Sequence, residues 1–155
     1  MASLQARNFN QRSPLAHRHV GATLGPMGDS VIVARYGQLD EKAQLQRCAL
    51  LDLSNLPRVG FRGAHTAEYL RQRRYELPAQ PNQAVVQADG SRVARLSQNE
   101  YLLLGSLLDG GSRIALEEAQ WQYDDTPNYL LPRQDSHAWL LLTGEHISEV
   151  MAKLC

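Results

Sequence analysis

The sequence predicts an α+β fold built on an antiparallel sheet, and three observations predict it. Short β-branched and aromatic runs are punctuated by Gly, Asn and Asp. The helical stretches between them are brief. A strand–Gly–helix wording occurs twice. The chain has 155 residues, 43% of them apolar, which is enough for a packed core in one domain or two small lobes.

Residues 1–30 are polar and rich in Gly, Pro and Ser, with no sustained period, and read as an extended N-terminal arm. Residues 31–155 read as a single α+β domain. It opens with Val31–Tyr36 (VIVARY), a strand closed by Gly37. Asp40–Arg47 reads as a short helix with Asp40 at its N-cap. Cys48–Asp52 and Leu56–Phe61 are extended runs flanking Ser54-Asn55. Gly63 breaks the second, and Ala64–Tyr75 has helical composition. Ala67 and Leu70 face the core there, and Glu68, Arg71, Arg73 and Arg74 form a solvated face.

Pro78, Pro81 and Asn82 mark a connection. Ala84–Ala88 and Arg92–Leu96 flank Asp89-Gly90, the pair favoured in a type I′ hairpin turn. Glu100–Leu104 adds a third strand, so the three form an antiparallel meander. Ile114–Gln120 fits helix or strand. Asn128–Leu131 and Ala138–Leu142 read as strands. In Glu145–Leu154 the residues Ile147, Val150, Met151 and Leu154 fall at i, i+3, i+4 and i+7, a helical stripe, with Glu149 and Lys153 as an i,i+4 pair.

Val59–Leu70 (VGFRGAHTAEYL) and Leu140–Met151 (LLLTGEHISEVM) share one pattern: an apolar strand, one polar residue, Gly, then a helix carrying His-x-x-Glu. The matched pairs are Gly63 with Gly144, His65 with His146, and Glu68 with Glu149. His and Glu three apart on a helix are compatible with a metal site, but each unit has one such pair at a helix start, which fits surface residues better. His17, His19 and His137 have no Cys, Asp or second His at recognised ligand spacing. No metal site is expected.

Lys plus Arg (16) equals Asp plus Glu (16), so no basic field exists to hold nucleic acid or anionic lipid. No apolar run approaches the ~20 residues needed to span a bilayer, and the N-terminus lacks the apolar core of a signal peptide. Cys48 and Cys155 form no disulfide framework and suit a reducing compartment. Neither a nucleic-acid nor a membrane partner is expected, and the cytoplasm is the expected location. The chain has no Gly-x-Gly-x-x-Gly, no phosphate-binding Walker loop, no Gly-x-Ser-x-Gly and no His-Glu-x-x-His. Asp124-Asp125 are neighbours that would point to opposite sides of a strand, and they read as a polar loop. No catalytic residue emerges.

Four stretches, taken in order, carry a resemblance: ALLDLSNLPRVGFRG, PAQPNQ, DGSRVARLSQNEYLLLG and LPRQDSHAWLLLTG. They resemble the glycine-cleavage T-protein (aminomethyltransferase-like, folate-binding) superfamily, and within it the gamma subunit family of heterotetrameric sarcosine oxidase. The likeness runs from about Ser13 onward. It implies an aminomethyltransferase-like α+β fold. It also implies a place beside larger flavin- and folate-bearing subunits that demethylate sarcosine to glycine, with FAD, FMN, NAD and tetrahydrofolate held by those partners. A stand-alone tetrahydrofolate-binding protein is the alternative the resemblance allows, and a small adaptor without one-carbon chemistry is a third.

The departures from the family pattern shape the expectation. The T-protein pattern carries a longer Gly-Gly segment ending in paired aspartates. Here only Asp89-Gly90-Ser91-Arg92-Val93-Ala94 precedes Arg95-Leu96, so the acidic residue that assists folate chemistry has no counterpart. The Cys motif of the iron–sulfur repair relatives is also missing. The sequence stops at Cys155 directly after its last helix, where relatives continue with a strand and helix. These departures imply a fold shortened at the C-terminus, a non-catalytic gamma-type subunit, and no cofactor bound by this chain itself. An incomplete sheet leaves an edge for a partner to cover. Trp121, Tyr129, Leu130 and Trp139 are the candidate interface anchors, because aromatic and large apolar side chains dominate binding energies. Trp139 equally suits a core position in its strand.

Overall fold

A computed structural model describes residues 4–5, 8–37 and 40–154 of the chain. Cys155 and the arm residues 1–3 and 6–7 lie outside the described residues. The fold is α+β with antiparallel sheets. In chain order its strands are β1 (Thr23–Met27), β2 (Ser30–Arg35), β3 (Ala49–Asp52), β4 (Arg58–Arg62), β5 (Gln83–Val86), β6 (Arg92–Arg95), β7 (Glu100–Leu104), β8 (Tyr129–Pro132) and β9 (Leu140–Thr143). Its helices are α1 (Glu41–Arg47), α2 (Thr66–Gln72), α3 (Ser112–Gln120) and α4 (Ile147–Leu154). The chain divides into two compact units. Unit 1 comprises the residues up to Asn55 and those from His137 on, and unit 2 is Leu56–Ser136.

Unit 2 holds the larger sheet, with strand order β5-β6-β7-β4-β8, every pair antiparallel. Register places Val59 opposite Leu103, Phe61 opposite Tyr101, and Val93 opposite Leu103, so these five side chains share one face. With Leu70, Tyr75 and Ile114 they form the buried core. Each such burial contributes roughly 1.5–3 kcal/mol. The meander expected over Ala84–Leu104 is present as β5, β6 and β7.

The turn between β5 and β6 differs from expectation. Type I′ needs a left-handed backbone at both Asp89 and Gly90, and only Gly90 has one, at φ 82°. The loop is instead three residues, Ala88-Asp89-Gly90, closed by Gln87 N–H to Ser91 C=O (2.8 Å) and Gly90 N–H to Gln87 C=O (2.9 Å). The Asp89 carboxylate accepts from both the N–H (2.9 Å) and the hydroxyl (2.6 Å) of Ser91. That local bonding favours an Asx-type turn over the tighter alternative.

Ile114–Gln120 resolves as helix. Asp109 starts it by accepting from the N–H groups of Gly111 (2.9 Å) and Arg113 (3.0 Å) and from the Ser112 hydroxyl (3.1 Å). Donors orphaned at a helix start are satisfied in this way. The helix predicted over Ala64–Tyr75 is shorter at both ends. It stops where Arg74 turns left-handed (φ 62°).

In unit 1, β1 and β2 form a hairpin closed by Gly28 and Asp29, and β3 pairs with β9. The strand β1 lies inside the segment read as an extended arm. Gly25 and Pro26 conceal it in the sequence. Pro lacks a donor and is tolerated here because β1 pairs with β2 alone among the described residues. Helix α1 is capped as expected, with the Asp40 carboxylate accepting the Ala43 N–H at 3.1 Å.

Two strand-to-helix junctions place the conspicuous glycines. Gly63, between β4 and α2, has φ 153°, and the next-but-one residue, His65, donates its N–H to the Pro127 carbonyl (3.1 Å). Gly144, between β9 and α4, has φ 117°, and His146 donates to the Arg47 carbonyl (3.0 Å).

Candidate functional site

Of the four predicted anchors, Trp121, Tyr129 and Leu130 lie in unit 2 and Trp139 in unit 1. Trp121 and Leu130 are partly buried against the unit 2 core, so core packing uses much of their apolar surface. Tyr129 is exposed at the edge strand β8, where its ring stacks on Tyr123 at 6.1 Å between centroids. Trp139 belongs to unit 1, half-buried beside β9. Its N–H donates to the Ser54 hydroxyl (3.0 Å), and its carbonyl accepts the Leu53 N–H (2.9 Å).

Unit 1 carries exposed apolar residues of its own, beside those of unit 2 such as Leu107, Leu108 and Val86. Leu50 of β3 is 61% exposed and Leu140 of β9 is 41% exposed. Register sets Leu50 opposite Leu142 and Asp52 opposite Leu140, so all four lie on one side of the pair. The α4 stripe predicted from Ile147, Val150, Met151 and Leu154 exists, but none of it is fully buried, and Leu154 is 74% exposed. Leu45 of α1 is exposed as well. Sequence reading locates the stripe without showing that it lacks cover, because periodicity marks an apolar face and not what packs on it.

Unit 2 carries a cleft of about 410 Å³ between α2 and the loop leading to β8. It is lined by His65, Glu68, Tyr69, Gln72, Gln122, Asp124, Thr126 and Asn128. The walls are fastened together: the Thr66 hydroxyl donates to Asn128 Oδ1 (2.9 Å), and His65 N–H reaches the Pro127 carbonyl. Asp124 accepts the Thr126 N–H (3.1 Å), and its hydrogen bonding to Thr126 holds its carboxyl below the ordinary range. The pair Asp124-Asp125 is therefore a turn, with Asp125 left-handed (φ 63°). His65 Nδ1 lies 3.5 Å from Glu68 Oε2, both well exposed, as surface residues at a helix start. His146 and Glu149 repeat that arrangement at 3.0 Å, so Glu149 finds His146 in place of the expected Lys153. Among the described residues no three His, Cys, Asp or Glu side chains converge to hold a metal.

Behind the cleft, Glu117 is nearly buried and collects three partners. It accepts from the hydroxyls of Tyr69 (3.1 Å) and Tyr75 (3.4 Å) and pairs with Arg73 Nε at 2.9 Å. Burial, reinforced by the Glu117 charge, raises the hydroxyl pKa of both tyrosines, so they remain neutral donors. Arg73 also lies over the Tyr69 ring (4.8 Å). It is a packing residue and not part of a solvated face. Asp89, in the β5–β6 turn, pairs with Arg113 at 2.7 Å. Burial raises its pKa, but hydrogen bonds from Ser91 and Arg113 outweigh this and hold the carboxyl below the usual carboxylate range.

One polar cluster in unit 1 has no signal in the sequence. The Asp52 carboxylate accepts from the Ser13 hydroxyl, from His19 Nε2 (2.7 Å) and from the Ser54 N–H (3.0 Å). His19 Nδ1 is bonded to the Tyr36 hydroxyl (2.9 Å). Burial raises the Asp52 pKa, but its hydrogen bonds from Ser13, Ser54 and His19 prevail and hold it below the usual carboxylate range. The partners come from 39 and 33 residues away in the chain. No short motif encodes such a meeting, and only the fold brings it about.

Comparison with known proteins finds no matching family model and no curated protein that matches by sequence. Among solved structures the chain is similar to glycine cleavage system aminomethyltransferase T from Bartonella henselae. The two have a TM-score of 0.62 and 19% identity over 90% of this chain. The matched region is 42% of that protein's length, so this chain spans less than half of it. No helix among the described residues is long and apolar enough to cross a membrane. At this identity the likeness speaks for the backbone alone: the chain has an aminomethyltransferase T-like fold.

Proposed function

We propose that the chain is a non-catalytic, gamma-type subunit of a heteromeric sarcosine oxidase, or of a related N-methyl amine oxidase or dehydrogenase, acting in the cytoplasm. Its partners would be larger flavoprotein and folate-binding subunits that hold FAD, FMN, NAD and tetrahydrofolate and demethylate sarcosine to glycine. The observation that carries this reading is an aminomethyltransferase-type backbone with exposed leucines on unit 1. A partner removes such surface from water at about 25 cal/mol per Å² before the cost of association. The Asp89 turn supports the same reading, since its only carboxylate is engaged by Ser91 and Arg113. Within this reading, β4–Gly63–α2 and β9–Gly144–α4 are copies of one strand–Gly–helix unit, supported by the matched His-x-x-Glu pairs and by the shared hydrogen bond at the second residue after each Gly.

The test is purification of the tagged chain from its native cell, with mass spectrometry and a visible absorption spectrum. The expected result is a yellow complex containing flavin-bearing subunits in fixed stoichiometry. A colourless, solitary chain overturns the reading. The second reading, a stand-alone tetrahydrofolate-binding aminomethyltransferase-like protein, is favoured by the identity of the solved relative. It predicts binding of about one tetrahydrofolate per chain, and no binding at millimolar ligand would sink it.

A further inference from the structure

The segment from Gln11 to Ala22 is attached to unit 1 in an unusual way. None of the described residues 8–29 is fully buried, so no apolar anchor holds this stretch in the core. Beneath it lies a cavity of about 70 Å³, lined on the segment side by Ser13, Ala16 and His19 and on the other by Val31, Asp52 and Asn55. Close packing is what normally fixes a chain segment, and a void removes those contacts.

The fastening is polar instead. The segment is a short 3-10 turn, Ala16–Arg18, preceded by Ser13, whose hydroxyl accepts the Leu15 N–H (3.0 Å) and itself donates to Asp52. His19 closes the other end, bonded to Asp52 and to Tyr36. Both side chains that fasten the turn thus converge on one carboxylate, which is 5% exposed. Asp52 lies on the side of the β3–β9 pair that also carries Leu50, Leu140 and Leu142.

We propose that residues 11–22 form a lid on unit 1, latched by Ser13 and His19 onto the single carboxylate of Asp52, and that the lid opens, its 3-10 turn coming undone, without unfolding the strands beneath. Opening exposes Asp52 and the strand residues Val31, Ile32 and Val33 that line the cavity. The proposal concerns unit 1 alone and holds whether or not the chain serves an oxidase.

Amide hydrogen exchange on the full chain tests it, comparing the unaltered protein with Asp52→Asn. The amides of Arg18, His19 and Ala22 are bonded within the segment (to Leu15, Ala16 and His19 carbonyls) and report its closure. Their exchange should accelerate about tenfold or more, and by several-fold more than that of β3, β9 and the unit 2 strands. Unchanged segment amides overturn the latch. Equal acceleration across β3 and β9 overturns the lid and makes Asp52 an ordinary structural group. If Asp52→Asn does not fold, Ser13→Ala and His19→Gln each remove one arm of the latch and are read by the same criteria.

Discussion

Gly63 lies directly against Pro127. A Cβ built on Gly63 falls far inside van der Waals contact with the Pro127 carbonyl oxygen, at a backbone φ of 153°. The same oxygen accepts the His65 N–H, so it has no freedom to move aside. Gly63→Ala therefore combines a strained backbone with a steric clash. We expect a loss of roughly 2–6 kcal/mol, from about 1–3 for the strain and about 1–3 for the overpacking. Gly144→Ala meets the Arg47 carbonyl carbon and oxygen at 2.5 Å with φ 117° and should cost a similar amount in unit 1. Urea unfolding of both variants checks this, and a change below about 0.5 kcal/mol for either would refute the close approach.

Glu117 is the second point of concentrated stability. Its carboxylate is 8% exposed and holds Tyr69, Tyr75 and Arg73 at once, tying α3 to the region of α2. Glu117→Ala leaves two hydroxyls and a guanidinium without that acceptor, and should destabilise by about 2–4 kcal/mol. Tyr75→Phe removes one 3.4 Å bond and should cost only about 1 kcal/mol. A double-mutant cycle between positions 75 and 117 should show coupling, because the second change removes a partner already lost. Strict additivity would mean that the hydroxyl bond contributes nothing.

How far these features can be read from the sequence varies by element. The meander Gln83–Leu104 is legible because alternation and turn residues agree over a short span. The glycine junctions are legible because the strand–Gly–helix wording occurs twice. Strand β1 is hidden by Gly25 and Pro26, which normally break strands and are tolerated only beside an open edge. The turn type at Asp89 fails because the side-chain bonds to Ser91 decide it, and dipeptide preference does not carry them. The division into two units and the Asp52 cluster are invisible, since both depend on contacts between residues dozens of positions apart.

Asp52 makes the stability of unit 1 sensitive to acid, with a definite sign. Its folded pKa is depressed below the ordinary carboxylate value. Such a group contributes stability that is fully present above the unfolded pKa, near 4, and lost as pH falls through the folded pKa. Stability should therefore hold from neutral pH to about 5 and then fall toward pH 2. In Asp52→Asn this part of the acid dependence should vanish, leaving a shallower slope below pH 4. Denaturant midpoints measured across that range decide it. Parallel slopes in the two proteins would show that the hydrogen bonds from Ser13, Ser54 and His19 do not favour the ionised form.

Core and surface leucines should separate cleanly. Leu103 of β7 is fully buried among Val59, Val93 and Ile114, and Leu103→Ala should cost about 2–5 kcal/mol through lost transfer energy and a residual cavity. Leu50 and Leu154 lie mostly in water, so Leu50→Ser and Leu154→Ser should change the stability of the isolated chain by no more than about 0.5 kcal/mol. If the proposed complex with flavoprotein subunits forms, the ranking inverts within it. An apolar residue that is exposed in the free chain and covered by a partner affects assembly without affecting folding, and the paired substitution should weaken association about tenfold or more, read by size-exclusion or sedimentation of the reconstituted subunits. If both variants assemble like the unaltered chain, the leucine face is not the surface through which this protein meets its partner.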